Sequence, residues 1–322
     1  MITVYNEENK KLIKTRVAKD DEWNFEKGSW IDITNPTPSI INDLIEKTNL
    51  PDYMLNSIFD EEETAHVEID EDNFLIVLDA PYKQDPETGF YLTAPFIIVY
   101  NKDYFVTLSR HRFELVNDLF KKVKKVEPHK HVRLSLHLVY RLTSLFISYL
   151  KKLDIMTKEL EETLHSSMKN KELFELMDIN KSLVYFSTAL NADRVVLFKL
   201  TRLEEYKKYE ADLDLLEDTQ VEINQAIEMC TIYREIISGM TDAFASVISN
   251  NVNNVMRILA VITIVLSVPT LIASVFGMNF KNMPLTDNDV GFWIIIGVSA
   301  ALALVAACIL VFTSKKGRGR KK

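Results

Sequence analysis

Two long segments near the C-terminus contain no charged residue, and they constrain the fold more than any other feature of the sequence. Residues 258–276 and residues 291–312 are uncharged over nineteen and twenty-two positions, respectively. An α-helix rises about 1.5 Å per residue, so roughly 20 residues cross the ~30 Å hydrocarbon core of a bilayer. The sequence therefore predicts two transmembrane helices; two buried core helices are the alternative, which the long absence of charge disfavours.

The charges beside these segments predict their orientation. The tail after the second segment carries six basic residues, whereas the loop between the segments carries Lys281 together with Asp287 and Asp289. Basic residues near the ends of membrane segments stay on the cytoplasmic side. The first 25 residues lack the basic start and apolar stretch of a secretory signal. We therefore expect a multi-pass protein of the cytoplasmic membrane, in contact with membrane lipid, with both termini in the cytoplasm.

The charge of the soluble part excludes one class of partner. The chain has a net charge of −8, but residues from 257 onward carry +6, so residues 1–256 carry −14. Nucleic acid requires a basic surface, so we expect no nucleic-acid partner, whereas an acidic surface suits cations or simply solubility. The sequence contains no nucleophile-triad pattern, phosphate-binding glycine loop or HExxH motif, and Cys230 and Cys308 lie in no metal motif. We predict no enzymatic activity and no organic cofactor.

The patterning changes character near residue 131. Before it, strand-like runs at 74–80 and 95–109 alternate with helix-like runs at 37–49 and 51–62, which indicates a sheet covered by helices. After it, apolar residues recur at helical spacing, and this predicts helices at about 132–168, 171–206 and 210–276. The predicted divisions are a cytoplasmic α/β domain (1–131), long cytoplasmic helices and stalk (132–250), stalk end and first transmembrane helix (251–277), extracytoplasmic loop (278–290), second transmembrane helix (291–313) and basic cytoplasmic tail (314–322).

Small polar residues form a stripe along the first apolar segment. Their spacings of four, three and four residues place Thr263, Ser267, Thr270 and Ser274 on one face of a helix. Such a stripe allows close helix packing in lipid, or it lines a narrow pore formed by several copies of the helix. The residues alone favour neither reading. The same face continues toward the cytoplasm through Leu259, Met256 and Asn253.

The segment that follows the stripe resembles a known family. "VFGMNF" and the following "MP", placed before a second apolar segment and a basic tail, resemble the CorA family of divalent-cation channels, whose signature is Gly-Met-Asn. The likeness extends through "NNVNNVMRILAVITIVLSVPTLIASVFGMNFKNMP" and reaches back to "WIDITNPTPSIINDLIEKTNLP". It implies an α+β membrane protein with a cytoplasmic α/β/α domain, long stalk helices and two C-terminal transmembrane helices, assembled as a homopentameric funnel.

The resemblance also implies roles for individual residues. Gly277, Met278 and Asn279 would form the selectivity filter, with the Asn279 amides facing a hydrated divalent cation and Gly277 allowing a tight turn. Intracellular Mg²⁺ would close the pore by binding acids of neighbouring subunits, for which Asp218 and either Asp85 or Asp79 are candidates. The pore-lining residues would be Asn253, Met256, Leu259, Thr263, Ser267, Thr270 and Ser274.

The function that follows is Mg²⁺ uptake, driven by the membrane potential and closed by cytoplasmic Mg²⁺. Three alternatives stay open: a zinc transporter of the same family, a cobalt or nickel transporter, and a membrane-anchored sensor or scaffold. Phe276 stands where tyrosine is common in the family, and Leu285 stands where glutamate often follows "MP". These departures leave the preferred ion open.

Overall fold

The computed structural model describes residues 1–8, 11–17, 23, 25–84, 90–113, 115–123, 126–166, 170–278 and 290–318. The chain divides into two compact units, Met1–Met240 and Thr241–Lys322. The change in patterning at residue 131 is a change of secondary structure within the first unit, because the two helices that directly follow it, His131–Ser166 and Asn170–Leu200, belong to that unit.

A seven-stranded sheet forms the centre of the first unit among the described residues. Its strands are β1 (Ile2–Glu8), β2 (Lys11–Val17), β3 (Trp30–Thr34), β4 (His66–Asp70), β5 (Asn73–Lys83), β6 (Tyr91–Tyr100) and β7 (Phe105–Ser109). Their order in the sheet is β2-β1-β3-β7-β6-β5-β4. Strands β3 and β7 pair in parallel, and the other neighbouring strands pair antiparallel.

The two predicted strand runs are confirmed as β5, β6 and β7. In the turn between β6 and β7, the Asn101 side chain accepts hydrogen bonds from the backbone amides of Asp103 and Tyr104 at 2.9 Å each.

Both faces of the sheet are apolar, and each is covered by helices. In β5, Leu75 and Val77 belong to the core shared with the first helices, whereas Ile76 and Leu78 are also buried and point the opposite way. The first face is covered by α1 (Pro38–Thr48), α2 (Asp52–Asn56) and a short 3-10 turn (Ser57–Phe59). The helix predicted at 51–62 is therefore shorter than expected, since it ends in the 3-10 turn.

The second face is covered by two long helices, α4 (His131–Ser166) and α5 (Asn170–Leu200), while α3 (Leu115–Lys122) packs against α4. Hydrogen bonds attach α5 to two strands: the Tyr91 amide donates to the Ser182 hydroxyl at 2.9 Å, and the Asp79 amide donates to the Asp193 carboxylate. The result is the predicted α/β/α sandwich.

Two helices are long and apolar enough to cross a bilayer among the described residues, α6 (Glu210–Phe276) and α7 (Gly291–Arg318). They contain the two uncharged segments, so both predicted transmembrane helices are confirmed as helices of sufficient length and hydropathy. Helix α6 continues through Pro269, although a proline removes one backbone hydrogen bond from a helix.

Candidate ion pathway and regulatory acids

The predicted pore-lining residues share one exposed stripe on α6. Their spacings of three and four residues follow the helical repeat, and every one of them is exposed in the single chain. A groove along this stripe includes Thr263, Ser267, Thr270 and Ser274 together with neighbouring apolar side chains. The stripe is therefore available for contact with other copies of the helix or with water.

The hydroxyl groups of the stripe are oriented by the backbone of their own helix. The Thr263 hydroxyl donates to the Leu259 carbonyl at 2.8 Å, and the Ser267 hydroxyl donates to the Thr263 carbonyl at 2.7 Å. The Thr270 hydroxyl donates in the same way to the Leu266 carbonyl at 2.8 Å. Because each hydroxyl hydrogen is used inside the helix, the lone pairs of each oxygen remain as outward hydrogen-bond acceptors.

An acceptor surface of this kind suits the water shell of a cation. Water bound to Mg²⁺ directs its hydrogens outward, and Mg²⁺ gives up that water reluctantly. Hydroxyl oxygens without a net charge can accept those hydrogens without the strong attraction of a carboxylate. The same i to i−4 bond occurs at Thr231 in the first unit, at 3.1 Å, so the bond alone does not identify a pore. The repetition of the bond along an apolar segment distinguishes the stripe.

The end of the stripe is the end of α6. The Gly277 amide still donates to the Ala273 carbonyl at 2.9 Å, and the Met278 amide donates to the Val275 carbonyl at 3.3 Å. Gly28 has the only positive φ among the glycines in the described ranges, so Gly277 does not have a left-handed conformation. The turn expected after Gly277 runs into residues 279–289, which lie outside the described residues. A Cβ at Gly277 would lie 3.3 Å from the Ala273 carbonyl oxygen, which is a tight contact. Asn279 lies outside the described residues.

The regulatory candidate Asp218 lies on the exposed side of α6 in the first unit. Its charge acts on the Tyr140 phenol of α4, whose pKa is raised mainly by burial and then by Glu222 and Asp218. The Tyr140 hydroxyl donates to the Glu222 carboxylate at 3.4 Å. Asp218 is thus placed at the surface, where a group from another subunit can approach it.

Asp79 has a different environment, in the middle of β5 and half-buried. Burial raises its pKa from 3.8 to about 6. The adjacent Asp193 of α5 is 1% exposed, and burial together with the Asp79 charge raises the pKa of Asp193 well above its usual range. Sequence reasoning missed Asp193, although an aspartate on the buried face of an apolar helix is an available signal. Asp85 lies outside the described residues.

The acids are not assembled into a metal site within one chain. No group of three or more His, Cys, Asp or Glu side chains with metal-binding geometry occurs among the described residues. Divalent metals in proteins need several oxygen ligands or retained waters. A regulatory Mg²⁺ held by Asp218 therefore needs ligands from a second source, such as a neighbouring subunit.

Comparison with known proteins identifies the same family along almost the whole chain. The sequence pattern of the CorA-like Mg²⁺ transporter protein family matches residues 25–316. The cobalt/magnesium transport protein CorA of Methanocaldococcus jannaschii is 29% identical over 301 residues, which cover 91% of this chain and 92% of that protein. The complete structure of the CorA magnesium transporter from the same organism matches with a TM-score of 0.77 and 25% identity, covering 97% of this chain and 96% of that chain. The full-length CmaX structure shares the fold at a TM-score of 0.70 and 16% identity, covering 96% of each chain.

These similarities confirm the predicted resemblance and fold class: a soluble domain, long helices and two C-terminal membrane-spanning candidates. They also support transport of Mg²⁺ or Co²⁺ as the activity of the group to which the chain is similar. The chain belongs to the CorA-like Mg²⁺ transporter protein family, whose members are divalent-cation transporters of membranes.

Proposed function

We propose that the chain is the subunit of a homopentameric channel that carries hydrated Mg²⁺ across the cytoplasmic membrane into the cell. The observation that carries the proposal is the stripe of backbone-bonded hydroxyls on α6, which offers outward acceptors along an otherwise apolar helix. Copies of α6 around a common axis would turn this stripe into a pore lined by neutral oxygen atoms.

The filter of the proposed channel is a ring of Asn279 amides at the outer end of α6. Amide oxygens accept hydrogen bonds from the water shell of the ion and carry no fixed charge that would hold it. Gly277 and Met278 bring the chain to this ring, and a Cβ at Gly277 would lie 3.3 Å from the Ala273 carbonyl oxygen, so a larger residue there requires a small shift of the backbone. Deeper in the pore, the side chains of Met256 and Leu259 form an apolar constriction, and Asn253 forms a polar ring at the cytoplasmic end.

The driving force of the proposed transport is the membrane potential. Moving one elementary charge through 100 mV is worth about 2.3 kcal/mol, so a divalent cation gains about twice that. Such a channel needs no nucleotide, in agreement with the lack of a phosphate-binding glycine loop in the sequence. The expected topology has both termini and the basic tail in the cytoplasm and the short loop outside.

Closure of the channel would depend on cytoplasmic Mg²⁺ between subunits. Asp218 is an exposed carboxylate on α6 in a segment rich in acids, and acids on neighbouring subunits repel each other unless a cation bridges them. Asp79 or Asp85 would supply the second ligand from the adjacent subunit. When cytoplasmic Mg²⁺ falls, the bridge is lost and the subunits separate toward the open state.

Two alternatives make different predictions. A zinc, cobalt or nickel transporter of the same family would use the same stripe and filter with another preferred ion. A membrane-anchored sensor or scaffold would use the stripe only for helix packing. The first alternative shares the hydroxyl orientation and the family membership with Mg²⁺ transport and differs from it only in the preferred ion, whereas the anchor does not account for the family membership.

The test compares Mg²⁺ entry into proteoliposomes with a negative interior for the wild type and Asn279→Ala. A dye inside the vesicles reports Mg²⁺, and Zn²⁺ and Co²⁺ are offered as competitors. We expect entry in the wild type and loss of selective entry in the variant, with unchanged folding. Absence of Mg²⁺ entry in a folded wild type, followed by Zn²⁺ or Co²⁺ entry, would support the other transporter, and absence of all entry would support the anchor.

A further inference from the structure

Helix α5 carries apolar residues on two opposite faces. Its inner face is buried against the sheet and α4. Its outer face, which lies on the other side of the helix, carries exposed large apolar side chains at successive spacings of three, seven, one, ten and three residues. The members of the outer face are Phe174, Met177, Val184, Tyr185, Val195 and Phe198.

This exposure is substantial for individual side chains. Phe174 is 64% exposed, Val195 is 53% exposed and Phe198 is 52% exposed. Single exposed apolar residues are normal on a protein surface, but groups of them on one face mark an interaction site. The outer face has two such groups, one within residues 174–185 and one formed by Val195 and Phe198, with Thr188 and Asn191 between them. A helix that is apolar on both sides is expected to be covered on both sides.

The neighbouring helix α4 shows how such a face is covered within the chain. The outer side of α4 is occupied by the chain's own α6, to which it is joined by an ion pair between Arg133 Nε and Asp212 Oδ1 at 2.7 Å. The Tyr140–Glu222 hydrogen bond lies further along the same contact. Within the described residues, the outer face of α5 has no corresponding helix.

The charges beside the outer face indicate what covers it. Its C-terminal half carries the exposed cations Arg194 and Lys199. Arg202 follows just after the end of α5, and its guanidinium lies 4.2 Å from the centre of the Phe198 ring. Residues 210–240 of α6 contain eight acidic residues and one basic residue. The exposed side of that segment also has apolar residues, among them Val221 at 67% exposure and Ile232 at 46%. It is therefore complementary to the outer face of α5 in both charge and hydrophobicity.

We propose that the outer face of α5 binds the 210–240 segment of α6 from a second copy of this chain. The contact joins two different surfaces, so each copy can bind one neighbour through α5 and another through α6, and the repeated contact closes into a ring. This inference rests on the homo-oligomer of the proposed function and specifies which surface joins the subunits. The neighbour's exposed α6 acids, including Asp218, would then lie over the α5 layer.

The size of the contact determines how it can be tested. From Phe174 to Phe198 the face extends about 36 Å, and a helix is about 10 Å wide, so the footprint is about 360 Å². A standard interface buries about 800 Å² on each partner. The α5 contact is thus too small to hold an oligomer alone, and changing it should not dissociate subunits that also meet through their membrane helices. The experiment therefore measures whether the outer face of α5 lies next to residues 210–240 of a second copy.

The experiment places a photoreactive amino acid on the face in the full-length protein in detergent. Phe198→p-benzoylphenylalanine keeps an aromatic ring at the site, and Tyr53→p-benzoylphenylalanine on α2 is the control at a similarly exposed aromatic. After irradiation, the covalent dimer is separated and the attached peptide is identified by mass spectrometry. We expect a dimer whose adduct lies within residues 210–240 for Phe198 and no such adduct for Tyr53.

A charge reversal checks the electrostatic part of the proposal. Arg194→Glu, Lys199→Glu and Arg202→Glu together should lower the yield of the Phe198 adduct at least fivefold, because the reversed charges repel the acidic segment. The proposal would be overturned by a Phe198 adduct to α5 of the second copy, to another element or to detergent only. An unchanged adduct yield after the charge reversal would overturn it as well. Mg²⁺ entry measured on the same preparation distinguishes failure of the interface from failure of the proposed channel function. An α6 adduct without Mg²⁺ entry would reject the channel function alone. Mg²⁺ entry without the adduct would reject the interface alone.

Discussion

The backbone amide of Asp79 in β5 donates a hydrogen bond of 2.9 Å to the carboxylate of Asp193 in α5. The other carboxylate oxygen of Asp193 is buried and has no hydrogen-bond partner among the residues that the structure describes. A buried charge that is incompletely paired is costly, and here the Asp79 side chain adds repulsion. Burial raises the pKa of Asp79 to about 6 and raises the pKa of Asp193 well above 3.8. Folding therefore shifts both acids toward their protonated forms relative to the unfolded chain.

The first prediction is that Asp193→Asn stabilises the protein at pH 8. An acid with a raised folded-state pKa contributes stability that is fully present below the unfolded pKa, near 3.8, and is lost as the pH rises through about 6 for Asp79 and higher for Asp193. Asparagine keeps the acceptor for the Asp79 amide and removes the buried charge. The thermal midpoint should rise at pH 8 by about 2–4 °C per kcal/mol gained, and it should change little at pH 4.

Asp178→Asn on the partly exposed side of the same helix is the matched control, since its partner is the surface residue Lys181 at 3.2 Å. Surface ion pairs contribute about 0–1 kcal/mol, so this control should shift the midpoint little at either pH. A midpoint that falls at pH 8 in Asp193→Asn would show that the carboxylate itself is required.

The second prediction concerns the hydroxyl stripe. Thr270→Val keeps the shape of the side chain but replaces its acceptor oxygen by a methyl group, whereas Thr270→Ser keeps the oxygen. We expect Mg²⁺ entry into proteoliposomes to fall about tenfold in Thr270→Val, equivalent to about 1.4 kcal/mol in the barrier, and to stay near wild type in Thr270→Ser. Thr231→Val removes the same type of i to i−4 bond outside the apolar segment and should leave entry unchanged. Equal entry in both valine variants would indicate that the stripe serves packing.

The third prediction concerns the end of α6. In Gly277→Ala, the new Cβ would lie 3.3 Å from the Ala273 carbonyl oxygen, so the backbone that carries the filter must shift by a few tenths of an ångström. We expect several-fold slower Mg²⁺ entry with normal protein yield. Gly297→Ala in α7 is the control, because among the described residues a Cβ there meets no atom within 4 Å apart from its chain neighbours and the adjacent backbone of its own helix. If Gly297→Ala alone slowed Mg²⁺ entry, entry would depend on α7 and not on the end of α6, and the prediction would be wrong.

The fourth prediction concerns regulation by cytoplasmic Mg²⁺. Asp218→Asn removes a proposed metal ligand and should raise the internal Mg²⁺ concentration needed for half-maximal inhibition of entry by several-fold. Asp214→Asn changes an exposed acid one turn earlier on α6 and serves as the charge-matched control. Inhibition measured in vesicles preloaded with graded Mg²⁺ distinguishes the two. Identical inhibition curves for Asp218→Asn and the wild type would remove Asp218 from the regulatory site.

Much of the helical structure was predictable from the sequence because helical spacing is a local property. The helix predicted at 132–168 is observed at His131–Ser166, and the helix predicted at 210–276 is observed with those bounds. The uncharged segments were equally clear, since they depend only on length and composition. The helix predicted at 171–206 ends at Leu200 and is followed by a 3-10 turn at Glu204–Lys207.

The parts that could not be predicted depend on tertiary contacts that the pattern of the segment itself does not show. Strand β2 is a polar edge strand whose residues give little apolar alternation, and it is a strand because β1 provides its hydrogen-bond partners. Strand β4 is likewise largely exposed and relies on β5. Asp193 was missed for the same reason, because its significance arises only when Asp79, far away in sequence, lies beside it. The roles of Asn279 and Asp218 remain predictions, since both act between subunits.

The parallel pairing of β3 with β7 has a consequence for the synthesis of the protein. Strands β1, β2 and β3 can form a local antiparallel sheet with β1 in the middle, but they join the rest of the sheet only after Phe105–Ser109 has been made. Sheets with such distant pairing fold in milliseconds to seconds. The first apolar segment begins about 150 residues after β7, and translation at about 5–20 residues per second gives the sheet a lead of about 7–30 s. The strands are therefore paired before the first membrane helix has been synthesised. Membrane insertion then begins with a chain whose N-terminal sheet already contains all of its strands.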